Sequence, residues 1–279
     1  MRNFTVDLEK EYGLQGGKLT CFVADKPFDV ETEWKRPALI VVPGGGYSNV
    51  SKREGEPLAF EFLARGFHTF ILWYRTGEAN GVRYPEQLLE LSAAMDYVKT
   101  HAEELCVNKD EVFAMGFSAG GHLVADLAVE YADVDKKAGR HLDCKPTAVV
   151  LGYPVISQID GHQGSFKNLL NGYTDEEKAE LLKTLNLDQA VSETTAPAFI
   201  WTTAEDKTVP PSNALRFASA LNAKGVPYEL HIYPQGNHGL STGRIEVNGA
   251  VKDMPYLSRI PEWLDPCEKF LRLFIEEKF

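Results

Sequence analysis

Three residue types, in one chain order, define the chemistry this sequence can carry. Ser118 stands in Gly116-Phe117-Ser118-Ala119-Gly120-Gly121-His122, Asp206 in Ala204-Glu205-Asp206-Lys207-Thr208-Val209-Pro210, and His238 in Gln235-Gly236-Asn237-His238-Gly239-Leu240. A serine hydroxyl is a weak nucleophile until a base takes its proton, and an imidazole is an effective base only when a third group fixes its tautomer. Serine, carboxylate and histidine together therefore suit acyl transfer through a covalent intermediate. Glu205 is the neighbouring competitor for the carboxylate role, and Asp206 is favoured. His122 and His231 compete for the base; the first falls on a helix behind the serine and the second inside a strand, so neither is expected to reach the hydroxyl.

These side chains need elements that bring them to one edge. Val112 to Met115 is apolar with strand character, and from Ala119 the apolar positions Leu123, Leu127 and Tyr131 recur at helical spacing. Ser118 must then lie at a sharp strand-to-helix turn, with small residues two before and two after it, as Gly116 and Gly120 are. The N–H of Ala119 falls at the helix N-terminus, where developing negative charge is favoured. Gly44-Gly45-Gly46 follows another apolar run, Ala38 to Val42, and no Gly-Lys-Ser/Thr follows it, which disfavours a phosphate loop. Three glycines allow the N–H groups of Gly45 and Gly46 to approach a substrate oxygen, so with Ala119 they form an expected oxyanion hole. Each such donor is typically worth about 3–4 kcal/mol of barrier.

The remaining pattern alternates strand and helix. Short strand-like pieces at 4–6 and 18–24 open the sheet in antiparallel fashion. A buried strand at 37–42, a helix at 56–65, a strand at 67–74, a helix from Pro85 to about 101, the serine strand and its helix follow. A strand at 147–153 precedes a polar stretch at about 156–196 that breaks the rhythm, with one expected helix at 175–185. Strands at 197–203 and 228–233, a helix at 212–224 and a last helix at 261–277 complete the chain. The pattern implies a mostly parallel α/β sheet covered on both faces, in a single domain over 1–279 with a small cap inserted at 156–196.

Composition narrows the function classes. With a net charge of −11 in 279 residues, clustered basic surface for nucleic acid is not expected. No apolar run approaches a membrane span, and the N-terminal residues do not read as a signal peptide. Cys21, Cys106, Cys144 and Cys267 are scattered without a C-x-x-C pair, which points to free thiols and a cytoplasmic location. The expected chemistry requires no metal or cofactor. The partner is a small acylated molecule; the oligomeric state, a homo-oligomer included, is left open.

GFSAGGH resembles the nucleophile elbow of the α/β-hydrolase fold, and the resemblance extends over about 37–245. PGGGY, REGEP at 53–57, WYR at 73–75, GFSAGGH, AEDKTVP and GNHG together look like the bacterial acetyl-esterase and acetyl-xylan-esterase group, related to the HGGG esterases. Pro43 stands where those esterases have histidine, so the backbone donors survive and any role of that ring does not. The absence of Cys at the elbow disfavours the dienelactone-hydrolase variant. The resemblance implies removal of acetyl or another small acyl group from a carbohydrate or similar alcohol, with the aromatic residues Tyr47, Trp73 and Tyr74 near strand ends as expected substrate contacts. Arg75 is expected to pair with an acid such as Glu54 or Glu56. A small amidase or formamidase, a prolyl-oligopeptidase-like peptidase, and a noncatalytic binding protein of the same fold are the rivals.

Overall fold

A computed structural model describes residues 1–14, 16–27, 29, 34–77, 81–160, 162–249 and 258–276. Its strands are β1 Arg2–Asp7, β2 Lys18–Val23, β3 Arg36–Val42, β4 His68–Trp73, β5 Val107–Phe117, β6 Val149–Gly152, β7 Ala198–Thr203 and β8 Tyr228–Tyr233. Its helices are α1 Leu8–Tyr12, α2 Glu56–Ala64, α3 Glu86–Thr100, α4 Ala102–Leu105, α5 Ala119–Glu130, α6 Val134–Ala138, α7 Gln163–Leu169, α8 Asp175–Leu185, α9 Leu187–Ala190, α10 Ser212–Ala223, α11 Ile245–Asn248 and α12 Leu264–Arg272.

The strands form one sheet in the order β1-β2-β4-β3-β5-β6-β7-β8. β1 and β2 pair antiparallel, β2 joins β4 antiparallel, and every pairing from β4 to β8 is parallel. Strand β3 explains why the inner strands read as unbroken apolar runs. Ala38, Ile40 and Val42 face the layer of α3, α5 and α10, packing with Leu91, Met95, Leu123, Leu127 and Phe217. Leu39 and Val41 face α2 and α12, packing with Leu58, Phe62, Phe270 and Leu271. A strand buried on both faces needs apolar residues at every position, and helices on both sides bury them.

The expected α/β architecture and antiparallel opening are what the chain adopts. The differences lie in short elements. The serine strand runs back to Val107 through the polar Asn108, which is half-buried, and Lys109 and Asp110, which are exposed. The last helix begins at Leu264 after a 3₁₀ turn over Ile260–Trp263, and the residue expected to end it, Glu277, lies outside the described residues. Between β6 and β7 there are three helices where one was expected. Helix α8 is the expected one: Thr174 accepts from Glu177 N–H at 3.2 Å while the Glu177 carboxylate accepts from Thr174 N–H at 2.8 Å, a reciprocal cap. The segment is stitched to the sheet layer by Asn213 on α10, whose side-chain Oδ1 accepts from the N–H groups of Ile156 at 3.0 Å and Ser157 at 3.2 Å.

One buried acid inside this core makes stability depend on pH. Asp126 on α5 is buried, and its Oδ1 has no hydrogen-bond partner among the described residues. The Tyr84 hydroxyl favours the carboxylate, and it too has no hydrogen-bond partner among the described residues. Burial, then Glu130, push its carboxyl up to about 8. The folded state therefore holds a proton that the unfolded chain releases, so this contribution to stability is complete at low pH and is lost as pH rises through 8. Asp126→Asn keeps the shape and removes the titration. It is expected to be at least about 2 kcal/mol more stable than the parent at pH 8, each pKa unit being worth about 1.4 kcal/mol. Thermal melts of both proteins from pH 5 to 9 check it; a constant gap across that range would refute the assignment.

Candidate active site

Parallel strands send the loops after β3, β5, β7 and β8 to the same sheet edge, and those loops carry the glycine triplet, Ser118, Asp206 and His238. At the serine turn the backbone is held at φ 54° and ψ −119°. Its crowding accounts for the flanking glycines. A Cβ at position 116 would lie 2.1 Å from the Gly120 carbonyl oxygen, and one at position 120 would lie 2.2 Å from that of Val42. The turn is secured by Ser118 N–H donating to the Gly152 carbonyl at 3.0 Å, and by the Ser118 carbonyl accepting from His122 and Val155.

His238 Nε2 is 2.8 Å from Ser118 Oγ, and His238 Nδ1 is 2.6 Å from Asp206 Oδ2. Asp206 is buried, and its other oxygen accepts from the N–H groups of Thr208 and Val209, both at 2.9 Å. An ionised carboxylate only accepts, so the proton lies on Nδ1, and Nε2 is left to accept from the serine hydroxyl. Glu205 takes a different position: its carboxylate accepts from Gly236 N–H at 3.3 Å and steadies the histidine loop. His231 pairs with Glu229.

His122 has a structural place. Its Nε2 is 3.1 Å from the Leu185 carbonyl, which must accept, so Nε2 carries the proton and Nδ1 accepts from the Tyr47 hydroxyl at 2.9 Å. Burial lowers its pKa to about 4 and keeps the ring neutral.

The glycine loop is tied at successive residues. The Pro43 carbonyl accepts from the Tyr74 hydroxyl at 2.8 Å. Gly44 N–H donates to Glu54 Oε2 at 2.8 Å. The Gly45 carbonyl accepts from Ser48 and Asn49 N–H groups, and that of Gly46 from Asn168 on α7 at 2.8 Å. The N–H groups of Gly45, Gly46 and Ala119 have no protein acceptor among the described residues. Gly45, Gly46, Ser118 and His238 line one cleft of about 400 Å³, together with Ser48, Asn49, Glu54, His162, Asn168 and Thr208.

The aromatic contacts require correction. Tyr47 and Tyr74 are buried beneath the glycine loop with their rings edge-to-face at 6.1 Å. Trp73 is half-buried, donates from Nε1 to Thr20 Oγ1 at 3.0 Å, and packs over Gly55. None of the three lines the cleft. Their strand-end positions are right, but the side chains turn into the packing that supports the loop. Arg75 is also paired differently, with Glu86 and, at 2.8 Å, with Glu90 on α3. Sequence reasoning missed His162 and Asn168, and it cast Glu54 as a partner for Arg75 where the structure gives it Gly44 N–H and the Tyr153 hydroxyl. Glu54 lies in the REGEP stretch, and a carboxylate buried there carries no local pattern that would single it out.

A strained serine after a central parallel strand, with its partners on later loops of the same edge, defines a hydrolase of the α/β-hydrolase class. The chain belongs to the BD-FAE family, whose model matches residues 28–221. It is 37% identical over 217 residues to endo-1,4-beta-xylanase B of Butyrivibrio fibrisolvens, a match covering 76% of this chain and 34% of that protein. It is 29% identical over 248 residues to an acetylxylan esterase of Xylanibacter ruminicola, covering 87% of this chain and 47% of that one. The chain thus spans about a third to a half of the length of these relatives. Among solved structures, an acetyl ester-xyloside bifunctional hydrolase from Caldicellulosiruptor lactoaceticus overlays with a TM-score of 0.75 at 32% identity, over 92% of this chain and 88% of that one. A carboxylesterase from Lactobacillus plantarum overlays with a TM-score of 0.82 at 28% identity, over 98% and 96%. This domain is a carboxylic ester hydrolase.

Proposed function

We propose that the chain is a serine esterase that removes small acyl groups, acetyl foremost, from the hydroxyls of a carbohydrate or similar alcohol. The observation that carries this reading is the hydrogen-bonded line Asp206–His238–Ser118 ending in a cleft whose described lining residues are polar or glycine. His238 takes the hydroxyl proton as Ser118 attacks the ester carbonyl. Asp206 holds the tautomer and steadies the imidazolium that forms. The tetrahedral oxyanion is received by the N–H groups of Gly45, Gly46 and Ala119. His238 then protonates the leaving alcohol, and a water molecule repeats the cycle on the acyl-serine.

Substrate size follows from the walls. Serine, asparagine, histidine and threonine side chains around Ser118 offer hydrogen bonds suited to a hydroxylated alcohol. They give a long acyl chain little apolar surface, where each buried methylene would otherwise gain about 0.8 kcal/mol. Relatives named for xylan deacetylation and xyloside hydrolysis support the same alcohol class. The segment over 156–196 supplies His162 and Asn168, and we assign it the part of a cap that selects the alcohol.

The test is a panel of 4-nitrophenyl esters from C2 to C8 with acetylated xylo-oligosaccharide and N-formylkynurenine, and fluorophosphonate labelling of the protein. Acetyl is expected to be preferred over octanoyl by at least about 100-fold in kcat/KM, with the label on Ser118. Preference for octanoyl, faster turnover of the formamide, or an adduct elsewhere would each overturn the reading.

A further inference from the structure

We propose that Glu54 is a positioning residue, joining the oxyanion loop to the histidine loop through the Tyr153 hydroxyl. The inference rests on the reading of Ser118 as nucleophile.

Donor and acceptor roles around Glu54 are fixed by chemistry. Gly44 N–H donates to Oε2 at 2.8 Å. Ser241 N–H donates to the Tyr153 oxygen at 2.9 Å, so the Tyr153 hydroxyl turns its proton to Glu54 Oε1 at 2.7 Å. Both carboxylate oxygens accept, which is the pattern of an ionised group, although burial alone raises its pKa. One side chain thus holds the residue next to Gly45 and, through one hydroxyl, the segment three residues beyond His238.

Two further contacts give the bridge its rigidity. The Tyr153 ring lies edge-on to the His238 ring with centroids 4.9 Å apart. Ser241 is itself fixed, its hydroxyl donating to the Arg53 carbonyl at 2.8 Å and its carbonyl accepting from Trp263 Nε1 at 3.1 Å. The base and the oxyanion donors belong to loops some 190 residues apart in sequence, yet they must agree in position to a fraction of an ångström. Glu54 and Tyr153 bridge them in the buried layer, beside the Arg53 guanidinium, which donates to the Gly239 carbonyl at 2.9 Å. A carboxamide cannot replace the carboxylate here: its NH₂ would face either Gly44 N–H or the Tyr153 hydroxyl proton.

Glu54→Gln and Tyr153→Phe, singly and together, test this in the full chain. Active sites are first counted by fluorophosphonate titration to completion, and kcat and KM for 4-nitrophenyl acetate are expressed per labelled site. Glu54→Gln is expected to lower kcat about 30- to 100-fold, the scale of an ångström misplacement, with KM within about twofold. Tyr153→Phe is expected to lower it about tenfold, and the double variant no further than Glu54→Gln alone, because the two act through one bridge. Should Glu54→Gln fail to fold, Tyr153→Phe decides alone. An unchanged kcat per labelled site, or a loss expressed in KM, overturns the proposal. Wild-type protein unlabelled at Ser118 would instead overturn the assignment of the nucleophile.

Discussion

Ser118→Ala is expected to eliminate ester hydrolysis, lowering kcat on the order of 10⁵- to 10⁶-fold, as loss of the nucleophile does where the triad acts as a unit. In the proposed mechanism the hydroxyl is the attacking atom, and its hydrogen-bond partner is His238 at 2.8 Å. Among the described residues no other hydroxyl is hydrogen-bonded to His238, and the neighbouring Ser48 is engaged with the Gly45 carbonyl at 2.9 Å. Stability should hold, since the turn is secured by backbone hydrogen bonds and the flanking glycines rather than by the side chain. Circular dichroism, melting temperature and steady-state kinetics on 4-nitrophenyl acetate make the comparison. A folded variant retaining more than about a thousandth of parental kcat would show that the nucleophile lies elsewhere.

Asp206→Asn should come next in size, about 10⁴-fold in kcat, the loss found when the corresponding carboxylate of the best-studied Ser–His–Asp triad becomes an amide. The geometry gives the reason. Oδ1 accepts from Thr208 and Val209 N–H groups, so an asparagine would keep its oxygen there and turn its NH₂ toward His238 Nδ1. Nδ1 would then accept, the ring proton would move to Nε2, and that proton would face Ser118 Oγ. The base would be occupied before the reaction began. Glu205→Gln is the control: it touches Gly236 N–H and not the imidazole, so a loss of no more than about tenfold is expected. A reversal of the two effects would reassign the acid.

The sequence carries the long elements legibly because their burial is periodic. β3 and β7 lie between two helical layers and read as continuous apolar runs, while α5 and α10 show apolar residues at helical spacing. The serine turn is legible for a steric reason, since only glycine fits at 116 and 120. Helices α7 and α9 were invisible because seven and four residues are too few for a period, and long-range ties such as that from Asn168 to Gly46 help hold them. Tyr47 and Tyr74 were misread for a related reason. An aromatic residue at a strand end can face the cleft or the core, and the choice depends on partners such as His122 and the Pro43 carbonyl, remote in sequence or placed only by the fold. Glu54 was read as a partner for Arg75 because nothing nearby in sequence marks a glutamate whose two oxygens are occupied by a backbone N–H and a remote tyrosine hydroxyl.

The neutral ring of His122 has an implication for diversification. It leans on the glycine loop through Tyr47 at one nitrogen and on the end of α8 through the Leu185 carbonyl at the other. The segment to which we assign selection of the alcohol is therefore not a detachable module. Grafting that segment from a relative would transplant new side chains while severing an anchor of the anion cradle, unless the incoming backbone presents a carbonyl at the same spot. Variation in substrate is freest at His162 and its neighbours, and most constrained where α8 ends.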